Sequence, residues 1–385
     1  MKIALVSPYD LAVPGGVNSH IHHLAEHFIA LGHEVRLIAP SSDVSKASPY
    51  AIVVGRPRSI PAGGSVARMA MSPRLADPVR RILAEEKFDV VHVHEPLVSF
   101  MTIQFLRFSN AINVGTFHAA RESGARLYTY TRRLLKDVFR RLDGKIAVSQ
   151  AAASLIVPHF PGYYNIIPNG VDVERFSAPA APMPELDDGM INILSVGRLE
   201  KRKGQRYLLR AFAEVKKRRP AARLVIVGGH GERQRRGYET WVREHGLRDV
   251  VFTGFVPDAD LPRYFHSAQI FCAPNTGNES QGIVLLEAMA AGCPVVASNI
   301  GGFAGVVTHG VEGLLVRPKD ASALADALVE LIDDPERRKE MAAAGSERAQ
   351  HFSWERVAQR VLSYYERLLY EKQTSVTRPS KLVEA

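Results

Sequence analysis

Two glutamates, Glu279 and Glu287, lie eight positions apart in a segment whose residues are typical of a ligand-binding site. Glu279 lies in a loop rich in Gly and Asn, and Glu287 follows after about two helical turns. Between them, the amides of Gln281, Gly282 and Ile283 come at a predicted helix start, where the helix dipole favours phosphate oxygens. Carboxylates accept hydrogen bonds from sugar hydroxyls. The segment therefore predicts a site for a ligand with sugar and phosphate groups.

A basic turn precedes this segment in the chain. Arg198 and Lys203 flank the turn from a predicted strand into a helix, an arrangement that can hold a diphosphate through charge-assisted hydrogen bonds. We expect the intervening Lys201 and Arg202 to be solvated charges. Two further strand-end turns follow, at Val227–Gly231 and Thr253–Val256.

A glycine loop follows the first predicted strand. Gly15 and Gly16 allow a ligand to approach the backbone, and the helix start behind them offers unpaired amides to an anion. A plain turn into a helix explains the same residues equally well. The spacing G-x-G-x-x-G is absent here, which disfavours a dinucleotide site.

Histidines follow two further predicted strands. His92 and His94 alternate along one strand end, and His118 follows another. Histidine suits polar contacts in a cleft because it donates and accepts near neutral pH, although a single such residue is more often structural than catalytic. A zinc site from these three is an alternative for which no further ligand is identifiable. The first predicted helix contains three more histidines, expected to be surface or packing residues: His20, His22 and His23.

The elements that position these residues are short apolar runs alternating with amphipathic stretches, which predicts strand–helix–strand units and parallel sheets. The predicted strands of the first half are Ile3–Val6, Val35–Ile38, Ile52–Val54, Val90–Val93, Ile112–Phe117, Lys145–Val148 and Ile166–Ile167. Those of the second half are Ile193–Val196, Leu224–Val227, Val250–Phe252, Ile270–Ala273, Val295–Ala297 and Leu314–Val316. The Pro- and Ala-rich stretch Ser177–Pro184 separates the two series and indicates a hinge near residues 172–190.

The composition excludes several classes of protein. With 385 residues, 46% apolar and 23% charged, the chain fits a globular protein of two domains and not a disordered one. It has no apolar run long enough to span a membrane and no secretory cleavage signal, so we expect a cytoplasmic location. Two cysteines exclude a disulfide framework. The net charge of +9 indicates an anionic partner, which could be a phosphorylated ligand, a membrane or a nucleic acid.

Several motifs combine in one chain. Besides Arg198–Lys203 and the Glu279 and Glu287 pair, they are Pro8-Tyr9, Pro14–His20, Gly64–Arg68, His92–Pro96, Thr116–His118 and Ile167–Asp172. Together they resemble the retaining glycosyltransferases of family 4 over almost the whole chain, and the first half is most similar to the phosphatidylinositol mannosyltransferases within that family. At Gln281 many relatives carry Phe, and Ala119–Arg121 lacks the hydroxyl residues that are common there.

The resemblance implies an α/β protein with the GT-B fold, in which two doubly wound Rossmann-like parallel-sheet domains face a central cleft and a C-terminal helix crosses back to the first domain. The implied parts are an acceptor-binding domain at 1–175, a nucleotide-sugar-binding domain at 190–353, the helix at 354–372 and a mobile tail at 373–385.

The resemblance also implies residue roles. Arg198 and Lys203 neutralise the departing diphosphate, Glu279 holds the sugar and Glu287 the ribose. The full donor-binding set is Gly16, Arg198, Lys203, Gly228, Val256, Glu279, Gln281, Gly282, Ile283 and Glu287. The acceptor-binding set is Tyr9, Asn18, Arg68 and His118, with Arg68 facing a phosphate. The catalytic set is His118, Arg198, Lys203 and Glu279.

The expected reaction transfers a hexose, mannose from GDP-mannose, to a lipid head group such as phosphatidylinositol, with retention of configuration. Sugar–phosphate cleavage builds negative charge on the diphosphate, so fixed cations and helix amides lower the barrier. If Arg198 and Lys203 supply this charge, no metal cofactor is required, and dependence on Mg²⁺ is left open.

A lipid acceptor requires contact with a membrane surface. The segment 126–141 has six basic residues, one acid and three aromatics, a composition typical of an interfacial helix. A helix packed on the sheet with a solvated basic face is the alternative. Residues 1–175 contain 20 Lys and Arg against 14 Asp and Glu, so the basic excess lies mainly in the first half. The expected location is cytoplasmic and peripheral, on the inner face of the cell membrane.

Two other functions remain alternatives. The same fold could transfer a glucosyl or galactosyl group from a UDP-sugar to diacylglycerol or to a soluble sugar. A non-catalytic nucleic-acid-binding protein would need a continuous basic stripe, whereas the basic residues here are dispersed over many predicted helices, so no nucleic-acid partner is expected. The oligomeric state is left open.

Overall fold

The chain folds into two α/β units. The computed structural model describes residues 1–62, 65–120, 126–229 and 231–377. The described residues of 1–119, 126–169 and 354–377 belong to the first unit, and Ala120 with the described residues of 170–353 belongs to the second. Of the residues named above, Gly64, Arg121, His230 and the tail beyond residue 377 lie outside the described ranges.

The described strands and helices alternate along the chain. The strands are β1 (Lys2–Val6), β2 (Glu34–Ala39), β3 (Ala51–Val53), β4 (Arg58–Ala62), β5 (Ser65–Met69), β6 (Val90–His94), β7 (Ile112–Phe117), β8 (Gly144–Ala147), β9 (Asn165–Ile166), β10 (Ile191–Val196), β11 (Ala222–Val227), β12 (Val250–Gly254), β13 (Ile270–Ala273), β14 (Val295–Ser298) and β15 (Gly313–Val316). The helices are α1 (Gly16–Ala30), α2 (Ala76–Glu86), α3 (Phe100–Phe108), α4 (Arg126–Phe139), α5 (Gln150–Ile156), α6 (Val173–Ser177), α7 (Gln205–Arg218), α8 (Glu232–Glu244), α9 (Leu261–His266), α10 (Ile283–Ala290), α11 (Gly301–Ala304), α12 (Ala321–Asp333), α13 (Pro335–Gln350) and α14 (Trp354–Thr377).

Each unit contains one parallel sheet, as the alternation predicts. The first sheet has the order β3-β2-β1-β6-β7-β8-β9, and the second has the order β12-β11-β10-β13-β14-β15. A strand is present at every position where the sequence predicts one. The antiparallel hairpin of β4 and β5 was not predicted, because its strands contain charged residues and a proline in place of an apolar run. In each sheet the carboxyl ends of the strands lie along one edge, where ligands bind in folds of this type.

Amphipathic helices cover both faces of each sheet. Helix α1 buries Ile21, Leu24 and Phe28, which are spaced three and four residues apart, in a core that it shares with α14. On the second sheet α7 buries Leu208 and Phe212 in the same way. These cores fix the helix starts, and therefore the loops before them, against the strand ends.

The C-terminal helix α14 packs within the first unit. Tyr365 is completely buried and its hydroxyl lies 2.5 Å from Nδ1 of His92, while the hydroxyl of Tyr364 accepts a hydrogen bond from the amide of Lys145 (3.1 Å). A Cβ on Gly144 would lie 2.6 Å from Leu368, so this strand and the helix are in close contact. The helix runs to Thr377, beyond its predicted end at 372, so the predicted tail at 373–385 begins too early.

The boundary between the units falls at 169/170, ahead of the predicted hinge near 172–190. The amide of Val171 donates to the carbonyl of Phe352 (2.8 Å), and α6 buries Phe176 in a core of the second unit. The Pro- and Ala-rich stretch also belongs to the second unit, since the amide of Met183 donates to Oγ of Ser267 (2.8 Å). Residues 170–175, which were predicted to belong to the first domain, are therefore part of the second.

Candidate functional site

The loop between β1 and α1 is held by the side chain of Asn18. This residue is buried, and its Oδ1 accepts a hydrogen bond from Oγ of Ser7 (3.1 Å). Its Nδ2 donates to the carbonyls of Asp10 (2.9 Å) and Val13 (3.1 Å). Asn18, predicted to bind an acceptor, therefore uses both polar atoms of its side chain to fix the loop.

The same loop contains Gly16 and Tyr9. A Cβ on Gly16 would meet nothing within 4 Å, so there is open space in front of the first turn of α1. Tyr9 is half-buried, and loss of hydration together with the nearby Glu95 raises the pKa of its hydroxyl, which stays protonated. The loop thus offers backbone amides and a neutral phenol to a ligand.

Arg68, at the end of the hairpin, is held by a carboxylate from this loop. Oδ2 of Asp10 lies 3.4 Å from Nε of Arg68. Asp10 is itself buried, and its Oδ1 accepts hydrogen bonds from the amides of Ser42 (2.8 Å) and Ala12 (3.2 Å). The predicted phosphate ligand Arg68 is therefore oriented through Nε by a residue to which the sequence alone assigned no role.

Four buried histidines lie close together at the ends of the central strands. His92 and His94 belong to β6 and His118 follows β7, while His20 on α1 completes the group, which we call the histidine cluster. Nδ1 of His94 lies 2.9 Å from Nε2 of His118, and the His20 and His118 ring centroids are 4.9 Å apart. The strand order β1-β6-β7 places these residues side by side.

Burial keeps the histidine cluster uncharged. Loss of hydration lowers the pKa of His92 and His118 to about 3. Burial and the neighbouring imidazoles also lower the pKa values of His20 and His94 well below the usual value. At neutral pH these rings therefore act as hydrogen-bond donors and acceptors and not as cations.

Three members of the histidine cluster could hold a metal ion. His20, His94 and His118 each offer a ring nitrogen, and these atoms lie within 4.8 Å of one another. The zinc alternative had included His92 in place of His20, but Nε2 of His92 lies 2.6 Å from Oγ1 of Thr116 and its Nδ1 faces Tyr365. Among the described residues no further His, Cys, Asp or Glu joins the three.

Glu95 is a buried residue of this region that the sequence did not single out. It follows β6 directly, and its Oε1 accepts hydrogen bonds from the amides of His118 and Ala119, both at 2.8 Å. Only its place within the segment His92–Pro96 could have drawn attention to it.

The second unit gathers most of the predicted donor-binding residues at adjacent strand ends. The strand order β12-β11-β10-β13 brings four loops together at one edge of the sheet. In that order the loops contain Val256, then Gly228, then Arg198 with Lys203, then the segment from Glu279 to Ile283.

Glu279 is the centre of an ion cluster, which comprises Arg202, Lys203, Asn275 and Glu279. Its Oε1 accepts from Nζ of Lys203 (2.6 Å), from Nδ2 of Asn275 (2.8 Å) and from the guanidinium of Arg202. The Lys203 and Glu279 side chains are only 16% and 14% exposed.

Arg202 also pairs with Glu200 (2.8 Å), so its prediction as a solvated charge was wrong. The loop after β13 folds onto this turn, which sequence spacing does not reveal.

Arg198 differs from the ion cluster in its exposure. Its side chain is 64% exposed and its Nη2 lies 3.1 Å from Oε1 of Glu200. Lys201 is exposed, as predicted. Arg198 therefore presents a positive charge to solvent beside a cluster whose charges are already paired.

Two glycines allow these loops to approach each other. Gly204 has a φ of +76°, and a Cβ there would lie 1.9 Å from the carbonyl oxygen of Pro274. A Cβ on Gly228 would lie 2.2 Å from the carbonyl oxygen of Gly197. The amide of Thr276 then donates to the carbonyl of Arg202 (2.8 Å) and fastens the two loops together.

Helix α10 follows the ion cluster and contains the second predicted glutamate. Gly282 caps its start with a φ of +81°, and Gln281 is buried just before it. Glu287 is half-buried, and loss of hydration raises its pKa to about 7, although Arg175 and Lys203 oppose this shift. Because Lys203 acts on Glu287 and contacts Glu279, the two glutamates share one electrostatic environment.

The described residues of the second unit line cavities at its strand ends and between its helices. One of about 270 Å³ is lined by Arg198, Leu199, Glu200, Gly229, Gly231 and Gln234, at the ends of β10 and β11. Another of about 590 Å³ lies between α7 and α8 and includes no predicted site residue. In the short turn after β12, Asp258 and Asp260 have the Asp-x-Asp spacing. Their carboxylates pair with Arg175 (3.0 Å) and Arg263 (3.8 Å).

Helix α4 has one packed side and one side with exposed aromatic and apolar residues. Val138 and Phe139 are buried, so one side packs on the first unit. Tyr130 and Leu134 are 80% and 82% exposed. Arg141 donates to the carbonyls of Leu106 (3.2 Å) and Ser109 (2.6 Å), so it is a structural residue and not part of a free basic face. No helix among the described residues has the length and apolar character that crossing a bilayer requires.

The chain matches models of known protein families in both units. The model Glycosyltransferase Family 4 matches residues 14–175, and the model Glycosyl transferases group 1 matches residues 183–348. A phosphatidyl-myo-inositol mannosyltransferase of Mycobacterium leprae is 39% identical over 369 residues, covering 95% of this chain and 96% of that protein. A glycogen synthase of Mycobacterium tuberculosis is 30% identical over 396 residues, covering 95% and 94% of the two chains.

A solved structure supports the fold. A glycosyltransferase from Rickettsia africae has a TM-score of 0.79 at 20% identity, covering 96% of this chain and 98% of that one. The two parallel-sheet units are thus of the GT-B class, as predicted. With relatives of this identity along nearly its full length, the chain belongs to glycosyltransferase family 4 and is a glycosyltransferase.

Proposed function

We propose that this enzyme transfers mannose from GDP-mannose to the head group of a membrane lipid, phosphatidylinositol. The observation that carries this proposal is the 39% identity to a phosphatidyl-myo-inositol mannosyltransferase over 95% of the chain. The motifs of the first half, where the acceptor would bind, support the lipid part of the proposal.

The nucleotide sugar binds to the second unit in this proposal. Arg198 and Lys203 hold the diphosphate, Glu279 binds the hexose and Glu287 binds the ribose. Nζ of Lys203 lies 2.6 Å from Oε1 of Glu279, so the cation for the diphosphate and the carboxylate for the sugar are held next to each other. The remaining donor-binding residues of this unit are Gly228, Val256, Gln281, Gly282 and Ile283. The role of Gly16 beside the diphosphate follows from the resemblance alone.

The reaction breaks the bond between the sugar carbon and the diphosphate. Negative charge develops on the diphosphate, and fixed cations stabilise this charge without reorganisation. The amides at the start of α10 add partial positive charge. The acceptor hydroxyl attacks from the face that the diphosphate leaves and gives its proton to the departing phosphate, so the configuration is retained. No metal cofactor takes part in this scheme, since Arg198 and Lys203 supply the positive charge.

The lipid head group binds to the first unit in this proposal. Arg68 pairs with the acceptor phosphate, and its Nε contact with Asp10 leaves the terminal guanidinium nitrogens for that role. Tyr9 and the neutral ring of His118 contribute hydrogen bonds, and Asn18 acts by shaping the loop. The exposed Tyr130 and Leu134, with the exposed Arg132 and Arg133, support contact of α4 with an anionic membrane surface, which in this proposal is the inner face of the cell membrane.

A matrix of donors and acceptors tests the proposal. The purified protein is incubated with GDP-mannose, UDP-glucose or UDP-galactose and with vesicles that contain phosphatidylinositol or diacylglycerol, or with a soluble glucan. We expect mannolipid only with GDP-mannose and phosphatidylinositol, with the α-anomer by NMR. The variant Glu279→Gln, which keeps the side-chain size but loses the charge, is the inactive control. Transfer from a UDP-sugar with none from GDP-mannose would contradict the mannosyl assignment.

A UDP-sugar transferase that acts on diacylglycerol or a soluble sugar is the second candidate. The identity of 30% to a glycogen synthase favours it, because that alignment also covers 95% of this chain. The same matrix separates the two candidates. Product with the glucan and a UDP-sugar, formed without any vesicle, would establish the second candidate.

A further inference from the structure

Glu95 is a buried carboxylate that the proposed reaction has not used. It follows β6 with a φ of 49°, a left-handed conformation that non-glycine residues adopt infrequently. Such backbone conformations concentrate at functional sites. Among the described residues, no cation forms an ion pair with it, and burial raises the pKa of its carboxyl. The side chain is therefore kept in an unfavourable environment.

Two amides beyond the end of the sheet depend on this side chain. The pairing of β6 with β7 ends at Thr116, whose carbonyl accepts from the amide of Glu95 (2.8 Å). The amides of His118 and Ala119, two and three residues beyond Thr116, both donate to Oε1 of Glu95 at 2.8 Å. One carboxylate oxygen of Glu95 thus accepts two backbone hydrogen bonds just beyond the point where the pairing of β6 with β7 ends.

The backbone and the ring of His118 are restrained separately. Glu95 holds the backbone, and Nδ1 of His94 contacts Nε2 of the His118 ring at 2.9 Å. Moving the backbone of His118 would move the ring away from His94 and from His20, whose ring centroid lies 4.9 Å away. The direction in which His118 points therefore depends on Glu95.

We propose that Glu95 is a positioning residue for sugar transfer, which fixes the backbone at His118 and Ala119 so that the His118 ring borders the reacting sugar. This proposal rests on the proposed function, in which His118 lies at the reaction centre. The required property of Glu95 is a correctly placed acceptor oxygen, and its negative charge is secondary. A glutamine in its place retains that oxygen, whereas an aspartate retains the charge but is one methylene shorter.

Two substitutions of Glu95 distinguish the effect of side-chain length from the effect of charge. Glu95→Asp should lower kcat by about 10- to 100-fold, because small displacements of reacting groups have effects of this size, while KM for the donor changes little. Glu95→Gln should keep kcat within about threefold of wild type, a margin well below that loss. Asp143→Asn is the matched control, since its Oδ2 accepts the amide of Asn113 (2.7 Å) at the opposite end of β7. It should leave kcat unchanged.

Amide hydrogen exchange measured by mass spectrometry gives a readout that does not need activity. The peptide containing His118 and Ala119 should exchange at least tenfold faster in Glu95→Asp than in wild type, with wild-type exchange in Glu95→Gln and in the Asp143→Asn control. Wild-type kcat in Glu95→Asp, or a loss in Glu95→Gln equal to that in Glu95→Asp, would overturn the proposal. If the wild-type enzyme transfers no hexose at all, the proposed function fails, and unchanged exchange in Glu95→Asp separately refutes the positioning role.

Discussion

The two units place chemical groups at equivalent strand ends but use opposite electrostatics. In the first unit the four buried histidines have lowered pKa values and are neutral, and the buried Glu95 is held by amides with no cation paired to it among the described residues, while Arg68 and Asp10 form a charged pair in the same unit. In the second unit the groups are charged and paired, with Lys203 and Arg202 both on Glu279. The histidine cluster is suited to hydrogen bonding with uncharged hydroxyls, and the ion cluster of the second unit is suited to a phosphorylated ligand.

This difference has a physical basis in the reaction of a glycosyltransferase. A leaving diphosphate needs fixed positive charge, which a cluster of paired ions supplies without reorganisation. An acceptor hydroxyl needs hydrogen-bond donors and acceptors that carry no charge themselves. Buried neutral imidazoles meet that need, because each offers one donor and one acceptor.

The largest expected effect comes from the ion cluster. Lys203→Ala and Glu279→Ala should each lower kcat by about 1,000-fold, the upper range for removal of one preorganised charge-stabilising group. Arg198→Ala should lower it by about 100-fold, since its side chain is 64% exposed and less constrained. Rates of sugar transfer at saturating donor measure the effect, and circular dichroism checks that the fold survives.

Lys201→Ala is the control for these variants, because Lys201 lies in the same turn but is exposed and outside the ion cluster. Its rate should equal that of wild type. Equal rates in Lys201→Ala and Lys203→Ala would show that the ion cluster does not take part in the reaction, and the contrast between the units would lose its functional meaning.

The sequence was sufficient to predict the fold and two local features of the second unit, the glycine at the start of α10 and the turn that contains Arg198 and Lys203. Parallel strands buried on both faces leave continuous apolar runs, such as Leu224–Val227, which are visible without a structure. The glycine-marked start of α10 and the Arg198 and Lys203 turn were visible for a similar reason, since charge and glycine at strand ends are local features.

The rest depended on contacts between distant parts of the chain. Arg202 was predicted to be solvated because nothing local shows that the loop of Asn275 folds onto it. His20 lies in the histidine cluster because α14 covers α1 and places Trp354 with its ring centroid 5.2 Å from the His20 ring. Glu95 was missed because its partners are backbone amides, which every residue except proline possesses.

The basic charges of the two units should differ in their effect on membrane binding. Removing three exposed cations near α4, in the variant Arg132→Gln, Arg133→Gln and Arg140→Gln, should weaken binding to anionic vesicles by on the order of 100-fold, at about 1 kcal/mol for each basic residue. Vesicle sedimentation measures the affinity. Arg141 is left in place because it caps the carbonyls of Leu106 and Ser109.

A matched variant in the second unit tests whether location matters or only total charge. Lys217→Gln, Arg337→Gln and Lys339→Gln remove the same number of cations, each from an ion pair with a glutamate. Vesicle affinity should change by less than about threefold, well below the effect expected at α4. Equal losses in the two variants would mean that net charge alone drives binding and that α4 has no special role.

Two glycines should differ in how the addition of a methyl group affects stability. Gly204→Ala places a Cβ 1.9 Å from a carbonyl oxygen at a φ of +76°, so the second unit should lose about 2 kcal/mol or more of unfolding free energy. Gly16→Ala meets nothing within 4 Å and should leave stability unchanged while raising KM for the donor. Urea unfolding and initial rates measure these effects, and unchanged stability in Gly204→Ala would contradict the close approach of the two loops.

The chain supplies a separate fluorescent probe for each unit, since its two tryptophans are Trp354 in the first unit and Trp241 in the second. Single-tryptophan variants, Trp241→Phe and Trp354→Phe, therefore report the unfolding of one unit each. Circular dichroism over the same urea range checks that neither substitution changes the overall transition.

The smallest expected effect is a difference in the pH dependence of stability. Histidines with a lowered native pKa, about 3 for His92 and His118, stay neutral in the folded first unit while the unfolded chain takes up protons below pH 6.5. The stability they provide is complete above pH 6.5 and is lost as the pH falls towards 3. Glu287 has the opposite sign, because its native pKa is raised to about 7, so its contribution to stability is complete below pH 4.5 and is lost as the pH rises to 7.

Between pH 5 and 6.5, the first unit should gain stability with rising pH and the second should lose it, by at most about 1.4 kcal/mol per pH unit for each group. Glu287→Gln should abolish the negative slope reported by Trp241 and leave the positive slope reported by Trp354 intact. Slopes of the same sign in both units would mean that the neutral and charged edges do not differ in the way their burial implies.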